Sequence, residues 1–220
     1  MMETNTVRRA GRTLAMAMMA VFVTGARVPP QSAEEVLEQA RQKYQAVQDA
    51  EIKFVQSVRF TVANIRQQTS GTLFLKKTNK YRLETEGQTI VTDGITVWSY
   101  SASTDQVLID RFAPDDRTFT PERLFEGGPS DFTSSLLGTE RGKKGTLHVI
   151  KLIPKDDHSF ITSLKLWIDD SDWLTRKAEV IDANGKETLY TVEEIRVNTG
   201  LRDSKFSFDI PAGADVVDMR

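Results

Sequence analysis

The sequence of 220 residues contains no cysteine and only two histidines, His148 and His158. The absence of thiols excludes disulfide bonds, cysteine nucleophiles and thiolate metal sites, and it leaves no cysteine for a lipid anchor. His148 falls within a strand pattern, and His158 falls in a turn beside two aspartates. Two histidines without cysteines make a poor zinc site. We therefore expect no metal and no other cofactor.

The sequence also lacks a basic block, because 29 lysines and arginines are balanced by 31 acidic residues. A nucleic-acid ligand is therefore not expected. The nucleophile elbow, the phosphate-binding glycine loop and the dinucleotide fingerprint are all missing. The acidic run at residues 169–172 has too few ligands at defined spacing for a calcium loop. These absences predict that the protein is not an enzyme.

The apolar run at residues 14–26 has 13 residues, whereas a transmembrane helix needs about 20. Three arginines precede this run and small residues end it, which is typical of a cleavable signal peptide over residues 1–26. A short buried helix is the alternative. Residues 27–220 are enough for one domain with a full core, and no repeat or linker divides them.

The mature region begins with a helix signal and continues with strand signals. Ser32 and Glu35 fit a capping box, and the apolar residues that follow predict a helix over 33–48 with one apolar face. Asp93-Gly94 lies between alternating segments and predicts a tight hairpin in which both turn residues take positive φ. Asn184-Gly185 predicts another tight hairpin. Short helices are predicted at 121–126 and 131–137. Strands are predicted at 52–62, 71–76, 81–85, 89–92, 95–100, 106–112, 146–153, 161–168, 174–181, 186–197 and 205–210.

This order of elements predicts a mainly β protein with a large antiparallel sheet or barrel and a few helices at one face or mouth. The large apolar side chains on these segments fit two interpretations. They form an ordinary core, or the sheet curves around a cavity that the helices cover. Alternation of apolar and polar residues does not separate the two.

Four local motifs, in order, resemble those of the outer-membrane lipoprotein carrier family, the LolA family. The resemblance extends over about residues 33–218. The motifs are DAEIKFVQ at 49–56, GTLFLKK at 71–77 followed by KYRLE at 80–84, IVTDGITVWSY at 90–100, and FSFDIPAGA at 206–214.

The resemblance implies an unclosed antiparallel β-barrel, or half-barrel, covered by a few α-helices around an apolar cavity. It implies a monomeric periplasmic carrier that takes acylated lipoproteins from an inner-membrane release complex to an outer-membrane acceptor. Two alternatives stay open: a carrier of another lipid, and a lipoprotein-sensing module with the same fold. A lipid hydrolase would need a catalytic site that the sequence does not offer.

Site residues follow from this interpretation. The family usually has Arg-Pro where this sequence has Lys77-Thr78, and that arginine holds the lid, so Lys77 and Arg82 are the candidate latch. The expected lid residues are Leu124, Phe125, Leu136 and Leu137. The expected lipid-binding residues are Phe54, Leu73, Leu75, Leu83, Trp98 and Tyr100.

Overall fold

A computed structural model describes residues 1, 32–60, 65–113 and 132–220. The predicted signal peptide after Met1, the predicted helix at 121–126, and the lid candidates Leu124 and Phe125 lie outside these ranges. Within the described ranges, no helix has the length and hydrophobicity needed to cross a membrane.

Helix α1 spans Ala33–Ala46 and confirms the predicted capping box. The Ser32 hydroxyl accepts a hydrogen bond from the Glu35 amide at 3.1 Å, and the Glu35 carboxylate accepts one from the Ser32 amide at 3.3 Å. These bonds satisfy amides that the first helical turn leaves unpaired. Val36 and Ala40 are fully buried, so the apolar face of α1 packs into the core.

The described residues form twelve strands in one sheet. The strands are β1 Asp49–Phe60, β2 Ile65–Lys76, β3 Lys80–Thr85, β4 Gln88–Thr92, β5 Thr96–Ser101, β6 Gln106–Arg111, β7 Phe132–Arg141, β8 Thr146–Pro154, β9 Ile161–Asp169, β10 Thr175–Asp182, β11 Lys186–Val197 and β12 Asp215–Asp218. Their order in the sheet is β12-β6-β5-β4-β3-β2-β1-β11-β10-β9-β8-β7. All neighbours are antiparallel except β12, which pairs in parallel with β6.

The sheet is open, since its end strands β7 and β12 do not pair with each other, and it is strongly curved. Leu83 on β3 and Ala178 on β10 are four strand spacings apart, about 19 Å in a flat sheet. Both nevertheless line one cavity. We call the side that carries Ile52, Leu73 and Leu83 the inner face, and α1 packs against it. The mainly β, unclosed architecture is confirmed, with one α-helix among the described residues.

The C-terminal segment, residues 199–218, packs on the outer face at β2 and β5 before it ends in the edge strand β12. Phe206, on a short 3-10 helix at Asp203–Phe206, is buried. The Lys205 ammonium lies 3.8 Å from the centre of the Phe74 ring, and the Phe208 ring lies 6.3 Å from that of Tyr100. The strand register places the side chains of Phe74 and Tyr100 on the outer face, so the C-terminal segment packs on the outside of the sheet.

Two predicted elements are wrong. Residues 132–137, predicted as helix, belong to β7, because Phe132, Ser134 and Leu136 alternate along a strand that pairs with β8. Sheet pairing outweighs the local helix signal here. Residues 205–210 were predicted as a strand. Lys205 and Phe206 instead complete the 3-10 helix, and residues 207–210 form no strand, because the segment packs through side chains such as Phe206. The last strand is β12.

The Asp93-Gly94 turn also differs from its prediction. Only Gly94 has positive φ, +93°, and the connection includes Ile95. Asp93 fixes the turn because its carboxylate accepts hydrogen bonds from the amides of Ile95 and Thr96, both at 2.8 Å. A Cβ on Gly94 would lie 2.5 Å from the Thr78 carbonyl oxygen, so glycine is required for space as well as for φ.

Candidate functional site

The inner face encloses a cavity of about 410 Å³ between β1–β4 on one side and β10–β11 on the other. Its lining residues come from six strands and the β3–β4 turn, so the curvature of the sheet builds it. They are Phe54, Gln56, Thr69, Leu73, Leu83, Thr85, Gly87, Gln88, Thr175, Lys177, Ala178, Tyr190 and Val192.

One end of the cavity is apolar. Leu73 lies directly opposite Leu83 across the β2–β3 pair, and Phe54 lies opposite Val192 across the β1–β11 pair. Directly opposed residues of antiparallel strands share a face, so these four side chains form one continuous wall. Leu73 and Phe54 are also members of the main core, and Leu83 and Val192 pack against it, so this wall is continuous with the buried interior.

Gly71 makes room for the Phe54 ring. The two residues are opposite each other on β2 and β1. A Cβ on Gly71 would lie 2.6 Å from the Phe54 Cζ atom and 2.9 Å from the Glu84 carbonyl oxygen. Both distances are far below van der Waals contact, so the absence of a side chain at Gly71 sets the position of Phe54 in the cavity wall.

Replacing Gly71 with alanine is therefore expected to lower the free energy of unfolding by about 1–3 kcal/mol, because the ring and the strand must both shift. Denaturant unfolding measures this. Gly87→Ala is the matched control, since Gly87 also lines the cavity but has nothing within 4 Å of an added Cβ. Equal stability of the two variants would contradict the role of Gly71.

The other end of the cavity is polar and mostly uncharged. Gln56 lies opposite Tyr190 on β11 and opposite Thr69 on β2. Its amide nitrogen donates a hydrogen bond of 3.3 Å to the Tyr190 hydroxyl. Burial raises the pKa of Tyr190, and the hydrogen bond from Gln56 lowers it in part, so the phenol stays protonated at neutral pH. Thr85 and Gln88 add further neutral polar groups.

The cavity includes one basic residue, Lys177, whose charge is directed elsewhere. Its ammonium lies 5.5 Å from the centre of the Trp167 ring and 3.8 Å from the Glu140 carboxylate. Among the described residues that line the cavity, none is an aspartate or a glutamate. The arrangement can therefore bury an apolar chain and hydrogen-bond a neutral polar group at one end.

The structure brings three of the six predicted lipid-binding residues to this cavity: Phe54, Leu73 and Leu83. Leu75 lies on the inner face but packs against the core, opposite Ala50 and outside the lining. Trp98 and Tyr100 lie on the outer face.

The register fixes this placement. Leu83 is opposite Ile90, and Ile90 is opposite Ser99, so Ser99 is on the inner face and its neighbours Trp98 and Tyr100 are on the outer one. The Tyr100 hydroxyl donates to the Asp105 carboxylate at 3.0 Å.

The other predicted lid and latch residues within the described ranges lie at separate places, on the edge strand β7, beside α1 and on the outer face. Leu136 is half-buried on β7 against the core, and Leu137 is exposed. The Lys77 ammonium donates a hydrogen bond of 2.9 Å to the Gln45 carbonyl, which connects the β2–β3 turn to the last turn of α1. Arg82 pairs with Glu84 and donates to the Ser207 carbonyl at 3.3 Å, on the outer face.

Several residues that line the cavity were not predicted from the sequence, chiefly Gln56, Thr69, Tyr190 and Val192. The predicted lipid site was built from large apolar side chains, which left polar residues out. One signal was available: Gln56 is two residues from Phe54 on the same strand, so the two share a face.

Within the described ranges, no three histidine, cysteine or acidic side chains come together to form a metal site. His148 is buried, and its ring stacks on that of Trp173 with centres 6.1 Å apart. His158 is exposed in a turn. The two histidines therefore stand in separate, unrelated environments.

Comparisons with known proteins, by family profile and by individual sequence, lead to the same family. The sequence profile of the family described as outer membrane lipoprotein carrier protein LolA matches residues 45–209. The outer-membrane lipoprotein carrier protein of Azotobacter vinelandii is 27% identical over 192 residues, which cover 86% of this chain and 91% of that protein. The protein of the same name from Pseudomonas putida strain GB-1 is 26% identical over 210 residues, covering 94% and 99%.

Among solved structures, an uncharacterized conserved protein from Thermus thermophilus superposes with a TM-score of 0.58. It is 18% identical and is matched over 84% of this chain and 98% of its own. At this identity the likeness concerns the fold alone.

Proposed function

This chain belongs to the outer membrane lipoprotein carrier protein family, LolA, and we propose that it is a periplasmic carrier that shields the acyl chains of lipoproteins in its cavity. It would receive them from an inner-membrane release complex and deliver them, as a monomer, to an outer-membrane acceptor. The relatives from Azotobacter and Pseudomonas are named outer-membrane lipoprotein carrier proteins, and the match to this chain covers nearly their whole length.

The observation that carries the proposal is the cavity itself. An apolar wall formed by residues such as Phe54, Leu73, Leu83 and Val192 lies inside an open sheet and not on its surface. Removing a methylene group from water is favourable by about 0.8 kcal/mol, so even a partly buried acyl chain is strongly stabilised. Such binding needs few directional contacts, in agreement with the small number of polar groups at the site.

Native mass spectrometry of the purified protein with a triacylated lipoprotein tests the proposal. We expect a one-to-one complex, and no complex with the same lipoprotein after its acyl chains have been removed. Binding of phospholipid but not of lipoprotein would replace the proposal with a carrier of another lipid. Equal binding of the acylated and deacylated proteins would indicate recognition of the protein part, as in a sensing module.

A further inference from the structure

We propose that the far end of the β1–β2 pair docks on an anionic lipid surface through Arg59, Phe60, Ile65 and Arg66, which we call the docking corner. Phe60 and Ile65 enter the boundary between headgroups and acyl chains, and the two arginines bind lipid phosphates. The inference goes beyond the proposed function, because none of these four residues lines the cavity and the contact needs no cargo. Its support is the projection of this end from the sheet, an exposed apolar pair and two opposed arginines.

The docking corner projects beyond the neighbouring strand. On one side, β1 pairs with β11 up to Phe60 and Lys186. On the other side, β3 pairs with β2 only from Gly71 onwards, so residues 65–70 have no partner strand there within the described ranges. Six residues extend about 20 Å past the end of β3. Because unpaired backbone groups are not tolerated in hydrocarbon, this edge can lie at the level of the headgroups but cannot cross a bilayer.

The inner face of the docking corner carries an exposed apolar pair. Phe60 lies directly opposite Ile65 across β1 and β2. The two residues are 38% and 50% exposed, whereas Phe54, on the same face of β1, is 6% exposed. The core therefore does not extend to this end of the sheet. Directly opposed side chains are in contact range, so Phe60 and Ile65 form a single apolar surface at the projecting end.

The outer face of the docking corner carries two arginines. Arg59 lies directly opposite Arg66, and like charges in this position repel each other. Arg59 donates hydrogen bonds to the Glu187 carboxylate from Nε at 2.9 Å and from Nη2 at 2.6 Å. Arg66 is exposed and forms no ion pair with any acidic residue in the part of the chain that the structure describes. A bound anion would offset the repulsion and give Arg66 a partner.

The sequence around the docking corner is positive throughout. Residues 52–83 contain seven lysines and arginines and no acidic residue, although the whole chain has 29 basic and 31 acidic residues. A surface that contains anionic lipids attracts such a segment over about one Debye length. The projecting end of this segment is the docking corner.

A lipid surface fits both faces of the docking corner at once. The sheet is a single layer, so side chains on both of its faces reach the same interface when this end points towards a membrane. The apolar pair then contacts acyl chains, as the apolar face of an interfacial helix does, and each guanidinium can form paired hydrogen bonds with a phosphate. An acidic polypeptide would bind the arginines but leave Phe60 and Ile65 in water.

Vesicle flotation tests the docking. The protein is used from residue 27 onwards, so that the apolar run at 14–26 does not itself bind lipid, and every described helix and strand is kept. We expect it to bind vesicles of phosphatidylglycerol and phosphatidylcholine in equal parts about tenfold more strongly than vesicles of phosphatidylcholine alone, and to be released by salt. Equal binding to both would exclude the role of the arginines, and binding to neither would exclude the docking. Either result overturns the inference and leaves the carrier function standing.

Variants with matched controls locate the contact, and circular dichroism checks their folds. Arg66→Gln should lower the partition coefficient about fivefold, whereas Arg141→Gln, at an exposed arginine at the opposite end of the sheet, should leave it unchanged. Phe60→Ala combined with Ile65→Ala should lower it about tenfold. Its control is Ile95→Ala, because Ile95 is 75% exposed and also lies at the opposite end. Equal losses in a variant and its control would overturn the assignment to this corner.

Polyglutamate serves as the probe for an acidic polypeptide. We expect it to bind more weakly than the anionic vesicles and to leave vesicle binding intact when both are present in equal charge. If the protein binds polyglutamate but no vesicles, and Arg66→Gln abolishes that binding, the docking corner recognises an acidic protein and the lipid proposal is wrong.

Discussion

Replacing Leu83 with glutamate is expected to weaken acyl-chain binding at least 100-fold. Leu83 lines the apolar end of the cavity and is only half-buried there, so the strand tolerates a substitution better than at the fully packed Leu73. The variant removes a leucine contact of about 1.5–3 kcal/mol. It also places a carboxylate, which costs several kcal/mol when desolvated, against the chain. A loss of about 3 kcal/mol already corresponds to a factor of more than 100.

Leu108→Glu is the matched control for this measurement. Leu108 is a half-buried leucine on the same face, opposite Ser99 on β5, but it does not line the cavity. Fluorescence titration with methyl cis-parinarate gives the two dissociation constants, and circular dichroism compares the two folds. If both folded variants bind as the parent does, the acyl chain lies outside the cavity and the proposed function loses its main support.

The sequence was sufficient to predict the elements whose residues carry local signals. Helix α1 has its capping box and apolar face, and β11 was predicted with its observed ends, Lys186–Val197. The order of the sheet depends on contacts between distant segments. β1 pairs with β11, whose residues are more than 100 positions away, and nothing in either segment alone specifies that partner. The local patterns predicted either a sheet or a barrel, and the half-barrel was predicted only from the family resemblance.

The candidate site was predicted in part for the same reason. Phe54, Leu73 and Leu83 are large, apolar and correctly assigned to strands, and all three line the cavity. Trp98 has the same properties but lies on the outer face, opposite Val91 and Ile109. Alternation identifies two faces of a strand, but only the register with its neighbours determines which one is inner. Around Trp98 both faces carry packed side chains, because the C-terminal segment contacts the neighbouring Tyr100 on the outer face, so hydrophobicity does not distinguish the two faces.

Asp49 is expected to have the largest effect on stability, because it attaches the C-terminal segment to the start of β1. Its carboxylate is buried and accepts hydrogen bonds from the Thr199 amide at 2.7 Å, the Thr199 hydroxyl at 2.9 Å, the Gly200 amide at 3.0 Å and the Leu201 amide at 3.2 Å. Asp49→Ala leaves these donors without an acceptor. We expect the free energy of unfolding to fall by about 3 kcal/mol or more in urea denaturation.

The substitution Asp49→Asn separates the charge from the shape of the side chain. Asparagine keeps one acceptor oxygen in the same place, so we expect a smaller loss of stability than for alanine. Asp209→Asn is the control on the same C-terminal segment, where the side chain is exposed and a change within about 0.5 kcal/mol is expected. If Asp49→Ala and Asp209→Asn have equal stability, the hydrogen bonds of Asp49 do not hold the segment.

The pH dependence of these variants has a definite sign. Burial alone would raise the pKa of Asp49, but the hydrogen bonds from Thr199, Leu201 and Gly200 outweigh it and hold the pKa below its ordinary value. A carboxyl group whose pKa is lower in the folded than in the unfolded state stabilises the fold fully above the unfolded pKa, about 4. That stabilisation is lost as the pH falls through the folded pKa. The difference in unfolding free energy between the parent and Asp49→Asn should therefore be constant near neutral pH and shrink below about pH 4. A difference that grows with acid would mean that the carboxylate is not the charged acceptor at this junction.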